Sequence, residues 1–181
     1  RDYFYGELDQ WQYVQTNSVI GQSGKVQSLK ATQTQEALYL NVKMPTLSEA
    51  GTFYLEVESD TPGYLGRGLW GSTPAIDYKV ENGFLFHYKG TGFDETWSKV
   101  GPVETRLLDE DLVVRVDFEL LGFDTPHPLK VAYYHDSLDY LPVDGAPMLR
   151  VSRRIFADEA TVCEQDFRDS RSTVANNREM K

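Results

Sequence analysis

Ile76-Asp77-Tyr78-Lys79-Val80-Glu81-Asn82-Gly83-Phe84-Leu85-Phe86-His87-Tyr88-Lys89-Gly90-Thr91-Gly92 is the stretch whose reading decides the fold. Ile76, Tyr78 and Val80 alternate with Asp77, Lys79 and Glu81, and Phe84, Phe86 and Tyr88 alternate with Leu85, His87 and Lys89. A period of two marks strands with one buried face. Asn82-Gly83 between them is the strongest short-range signal for a β-hairpin. Two registers compete. A two-residue loop sets Glu81 opposite Phe84 and Lys79 opposite Phe86, which mixes charged and apolar side chains on each face. A three-residue loop, Glu81-Asn82-Gly83, pairs Val80 with Phe84, Tyr78 with Phe86 and Ile76 with Tyr88. It restores one apolar face, and a buried face does not tolerate a one-residue slip. The expectation is therefore the three-residue loop, with Gly83 left-handed at a bulge. Asp77 and His87 then face each other on the outer side.

The same period runs outward along the chain. Leu29 and Ala31 point inward over 26–33; Leu38, Leu40, Val42 and Met44 over 37–44; Phe53, Leu55 and Val57 over 52–58. Trp97 to Val103 reads as a strand that 104–108 extends. Over 112–119, Leu112, Val114, Val116 and Phe118 alternate with Val113, Arg115, Asp117 and Glu119, and over 129–135 Leu129, Val131 and Tyr133 alternate with Lys130, Ala132 and Tyr134. About eight or nine short strands result, with no helix before residue 150. Strands so spaced, each with one polar face, predict an all-β fold, an antiparallel β-sandwich spanning 1–149. Residues 150–181 form a C-terminal tail. It has no Tyr or Trp, and Phe156, Ala160, Cys163 and Phe167 fall on one narrow helical stripe. A short helix, or an extended linker to a further domain, is expected there.

Composition narrows the function. The formal charge is -10, and it is uneven. The tail from Arg150 carries seven basic and six acidic side chains, so residues 1–149 hold eleven basic groups against twenty-two acidic ones. Nucleic acid and anionic membranes need clustered Lys and Arg, so neither is an expected partner. No apolar run approaches the ~18 residues of a membrane span. A single cysteine excludes an internal disulfide framework. The chain opens on Arg1, as a piece of a longer chain or a mature product would. Nucleophile elbows, phosphate loops and dinucleotide fingerprints do not occur, and His87, His127 and His135 share no zinc-ligand spacing. Non-catalytic binding is the expectation.

Candidate binding residues lie in loops. The stretch 59–74 carries four Gly and two Pro, and a loop of more than about 12 residues in a compact domain is often functional. Its Tyr64 and Trp70, with Trp97, Tyr134 and Tyr140, offer flat faces for sugar rings. Phe93 is a further loop ring. Arg67, Asp94, His135, Asp136 and Asp139 offer polar contacts to hydroxyls. The competing reading is packing, since an aromatic ring buries roughly 150–250 Å². Asp136, Asp139 and Asp144 form a sparse acidic loop that could hold calcium, which wants six to eight oxygen ligands. A solvated acidic surface is the plainer reading of those acids.

Gly6-Glu7-Leu8-Asp9-Gln10-Trp11 resembles the opening of DOMON-like sandwiches and family 9-like carbohydrate-binding modules, with Tyr5 where their aspartate would precede the glycine. Ala37-Leu38-Tyr39-Leu40-Asn41-Val42 is similar to the strand that follows it in them, and Asp144-Gly145-Ala146-Pro147 resembles their closing segment. The resemblance covers 6–149. It implies a module of a larger extracellular or cell-surface bacterial protein that binds polysaccharide through 60–74, 90–97 and 134–145. Its partners would be glycan and other domains of the same polypeptide. Two alternatives stay open: a structural or adhesion module that joins domains, and a haem-binding DOMON-type domain. Haem would need axial ligands such as His87, Met44 or Met148, and Met44 fits the inward phase of its strand.

Overall fold

The computed structural model describes residues 26–44, 51–57, 62–70, 75–136, 139–143 and 145–151. Gly6 to Trp11, the tail beyond Val151 with Cys163, and Asp144 lie outside the described residues. The chain is an all-β sandwich of two antiparallel sheets. β1 (Ser28–Gln33), β2 (Ala37–Lys43), β8 (Asp111–Asp117) and β7 (Glu104–Leu108) form the smaller sheet, in the order β1-β2-β8-β7. The larger sheet runs β10 (Asp139–Leu141), β9 (Leu129–Asp136), β3 (Thr52–Val57), β4 (Tyr78–Glu81), β5 (Phe84–Tyr88), β6 (Trp97–Pro102). β11 (Leu149–Val151) pairs with the first half of β9. One short helix, α1 (Phe118–Leu121), follows β8 and ends at Gly122 in a left-handed conformation.

The predicted inward sets meet between the sheets. Leu38, Leu40, Val42, Val114 and Val116 from the smaller sheet pack against Phe53, Leu55, Val57, Leu129, Val131 and Tyr133 from the larger. Each such side chain contributes on the order of 1.5–3 kcal/mol by leaving water. Phe53 and Tyr133 meet with ring centroids 4.8 Å apart.

The hairpin departs from expectation. Tyr78 pairs with His87, Val80 with Leu85 and Glu81 with Phe84, so the loop is Asn82-Gly83 alone. Asn82 and Gly83 both have positive φ, 53° and 81°, as the two-residue hairpin turn requires. The three-residue loop assumed that one face of the hairpin meets water. Here neither does so fully. Val80 and Leu85 face the inter-sheet core, while Lys79, Phe84, Phe86 and Tyr88 face outward. Charge and ring coexist there because cations sit on ring faces. Lys79 Nζ lies 5.2 Å from the Phe86 centroid and 4.8 Å from that of Trp97, and Lys99 Nζ lies 4.0 Å from that of Phe84. His87 accordingly stacks on Tyr78, centroids 4.5 Å apart, and does not face Asp77.

Three smaller differences follow from lengths and crossings that alternation does not encode. Residues 97–108 form two strands in different sheets; at Val103 the chain crosses over, its N–H donating to Gly83 O at 2.9 Å. Phe118 belongs to α1 and not to the preceding strand, although it is buried as expected. Among the described residues there are eleven strands, because β10 and β11 are three residues each, too short to show a period. β11 also carries the sandwich through Val151, two residues past the expected boundary, and Val151 is fully buried.

Candidate functional site

The outer face of the larger sheet carries the rings. Antiparallel partners share a face, so the register places them. Tyr140 on β10 pairs with Tyr134 on β9, which pairs with Thr52 on β3. Tyr54 on β3 pairs with Ala132 on one side and Lys79 on the other. Tyr88 on β5 pairs with Trp97 on β6. A band of rings therefore crosses the sheet from β10 to β6.

Residues 62–70 lie over this band. Tyr64 and Ile76 hydrogen-bond to each other through their backbones, at 2.8 and 3.1 Å, which returns the loop to the sheet. Tyr64 inserts its ring between Tyr88 and Trp97, with centroids 5.5 and 5.3 Å away. Trp70 packs against Tyr54 and Tyr140 at 6.2 and 6.4 Å and donates its Nε1–H to Pro142 O at 2.9 Å. Gly66 passes so close to the Tyr64 ring that any Cβ would collide with it. Tyr64 and Trp70 are only 2% and 3% exposed. Of the two readings, open faces for sugar or packing, these two rings follow packing and seal the loop to the sheet. Tyr134, Tyr140, Trp97 and Arg67 remain half-buried at the surface of the cluster.

Arg67 bridges two of these rings. Its Nε–H donates to Tyr54 Oη at 3.0 Å, and its guanidinium carbon lies 4.2 Å from the Tyr134 centroid. Tyr134 and Tyr140 stack at 6.3 Å with 29° between planes.

At the other end, Glu95 accepts from Tyr64 Oη and, at 3.1 Å, from Trp97 Nε1. These bonds, that of Tyr64 first, hold the Glu95 carboxyl below its usual range. Burial pushes the Tyr64 hydroxyl well above the usual phenol value, and the Glu95 bond adds to it. Glu95 escaped the sequence reading. The only signal was an acid two residues from Trp97, which on a strand end faces the same side.

The polar candidates separate. Asp94 organises its own loop: it accepts from Thr96 Oγ1 at 2.5 Å, Thr91 N at 2.7 Å, Thr91 Oγ1 at 2.9 Å and Tyr88 Oη at 3.1 Å. The Thr96 bond, then the Thr91 bonds, hold its carboxyl far below the carboxylate range. It is therefore occupied, while Phe93 beside it stands 74% exposed at the loop tip. Asp139 turns inward, 1% exposed, and accepts from Val26 N at 2.9 Å; its Oδ2 has no hydrogen-bond partner among the described residues. Asp136 is 3.2 Å from His135 Nδ1, and the His135 side chain is nearly covered. So Asp136 and Asp139 do not converge as a calcium loop, and Asp144 lies outside the described residues. Among the described residues no group of three or more His, Cys, Asp or Glu is arranged to hold a metal ion.

Asp77 is a buried acid that the sequence reading placed on the outer surface. Ile76 turns away to pair with Tyr64, which leaves the Val57 N–H without a strand partner, and Asp77 Oδ2 accepts it at 2.7 Å. Burial pushes the Asp77 carboxyl up to about 6, with Glu56 adding repulsion against the Val57 bond.

Compared with protein-family models, curated proteins and solved structures, the chain matches none, so those comparisons neither extend nor oppose the DOMON-like and family 9-like resemblance.

Proposed function

We propose that the chain is a non-catalytic carbohydrate-binding module of a larger extracellular protein, and that it takes polysaccharide on the outer face of its larger sheet. The observation that carries this reading is the half-buried Tyr134–Tyr140 pair with the Arg67 guanidinium over Tyr134. Flat rings beside a fixed donor are what a sugar needs: its C–H face loses water against the rings, and its hydroxyls meet the donor. Tyr64 and Trp70 lock the loop that presents Arg67, so the site is preformed and costs little to order on binding. The acids nearest the rings, Asp94 and Glu95, are committed to hydrogen bonds within the fold, which favours binding over acid–base chemistry.

Affinity electrophoresis through gels containing a panel of polysaccharides tests this. At least one polymer should retard the protein, and Tyr134→Ala or Tyr140→Ala should weaken that retardation about tenfold. Retardation unchanged in both variants ends the proposal. A protein that no polymer retards favours the domain-joining alternative.

A further inference from the structure

Among the described residues Arg67 is a cation without a counter-charge. Its Nε–H is used by Tyr54, and its plane lies over Tyr134, yet no carboxylate among the described residues lies within ion-pairing distance. Among the described residues neither Nη group has a hydrogen-bond partner. Glu95 feels the charge of Arg67, but its oxygens are taken by Tyr64 and Trp97. A second arginine stacked on a buried tyrosine shows the usual solution. Arg115 lies 5.6 Å from the Tyr39 centroid, and it also donates to Asp117 Oδ1 at 2.9 Å and approaches Glu36 Oε1 at 3.9 Å. In a chain with 28 acids and a net charge of -10, an arginine left unmatched at a half-buried site stands out. The guanidinium fork suits a planar anion bound through two parallel N–H bonds.

We propose that the polysaccharide is acidic, and that the two Nη groups of Arg67 bind a carboxylate or sulfate ester on a sugar stacked against Tyr134 and Tyr140, an inference that rests on the glycan reading above. The chain's overall negative charge does not forbid this. Exposed charges beyond about 8 Å are largely screened at physiological salt, whereas a half-buried contact is screened much less.

The test needs no variant in its first arm. Wild-type protein is run through gels of polygalacturonate, its carboxyl-reduced form, dextran sulfate and neutral dextran. Binding to polygalacturonate or dextran sulfate should exceed that to the uncharged polymers by about ten- to a hundredfold. Which of the two acidic polymers is preferred separates carboxylate from sulfate. In the second arm, Arg67→Gln should abolish the preference and Arg67→Lys should restore only part of it, with the near-ultraviolet spectrum unchanged. Equal binding to acidic and uncharged polymers, or a preference that survives Arg67→Gln, overturns the assignment and leaves the glycan reading standing. Retardation by none of the four polymers, nor by any polymer of the wider panel, removes both.

Discussion

The two outer faces of the sandwich solve one problem in opposite ways. Each buries a tyrosine beneath an arginine. On the smaller sheet, Tyr39 sits with Ala37 and Val113, and Arg115 above it is neutralised by Asp117 and Glu36. On the larger sheet, Tyr54 sits in a cluster with Tyr64, Trp70, Tyr88 and Met148, and Arg67 above it has no acid of its own among the described residues. The larger sheet leaves Asp77 equally unmatched, with no cation within ion-pairing distance among the described residues. Arg67, unmatched among the described residues, and Arg115, matched twice, mark the difference between the faces, although on the larger one Lys79 pairs with Glu81 at 2.8 Å.

The largest expected effect tests whether the larger face is sealed as described. Trp70→Ala should cost about 3–5 kcal/mol, because it removes a buried ring and strands Pro142 O. Urea unfolding at constant slope measures it. A cost under about 1 kcal/mol, the range of surface changes, would mean that the loop does not close over the rings.

Asp77→Asn should act in the opposite direction. The folded pKa, about 6, lies above the ordinary 3.8, so the folded state holds the charged form poorly. The penalty is complete above pH 6 and fades as pH falls towards 4. An amide still accepts the Val57 N–H and carries no charge. The variant should therefore be more stable than wild type at pH 8, by up to about 3 kcal/mol, and indistinguishable from it at pH 4. Thermal melts across that window decide it. A difference that does not change with pH would place the charge of Asp77 in balance, as on the smaller face.

Alternation revealed one layer of this molecule and hid the other. Leu38, Leu40 and Val42, or Phe53, Leu55 and Val57, could be assigned to the core because a period of two marks the inner face without further information. The outer face of the larger sheet is buried by a loop distant in sequence, and no local pattern announces that. Tyr54 therefore read as solvent-facing, and Phe84, Phe86 and Tyr88 read as core. The ring types in 64–70 and 134–140 were visible as candidates. Which of them would plug and which would stay half-open depended on the bond from Trp70 to Pro142 and on the bridge from Tyr64 to Ile76, both contacts between distant segments.

Asn82→Ala probes the turn that aims Phe84, Phe86 and Tyr88 at the outer face. Asn82 holds φ at +53°, where alanine is strained by about 1 kcal/mol, whereas the three-residue loop would hold this residue right-handed and leave only Gly83 left-handed. A matching loss in thermal stability supports the two-residue turn. No loss would return the hairpin to the longer loop, with those three rings in the core and the band of rings broken at β5.

The smallest effect is the most diagnostic of the difference between the faces. Arg115→Gln removes one close ion pair, one distant one and the bond to Tyr39, which at a half-buried site open to solvent amounts to about 1 kcal/mol. Salt screens that contribution, so the loss should shrink as ionic strength rises from low to high. Arg67→Gln removes a bond to Tyr54 and a stacking contact with Tyr134, also about 1 kcal/mol. Neither depends on a counter-charge within the protein, so its loss should hardly change with salt. Chemical denaturation of both variants by urea, with and without added sodium chloride, reads the contrast directly. If the Arg67 loss also fades with salt, an acid outside the described residues is neutralising it, and the two faces are then built alike.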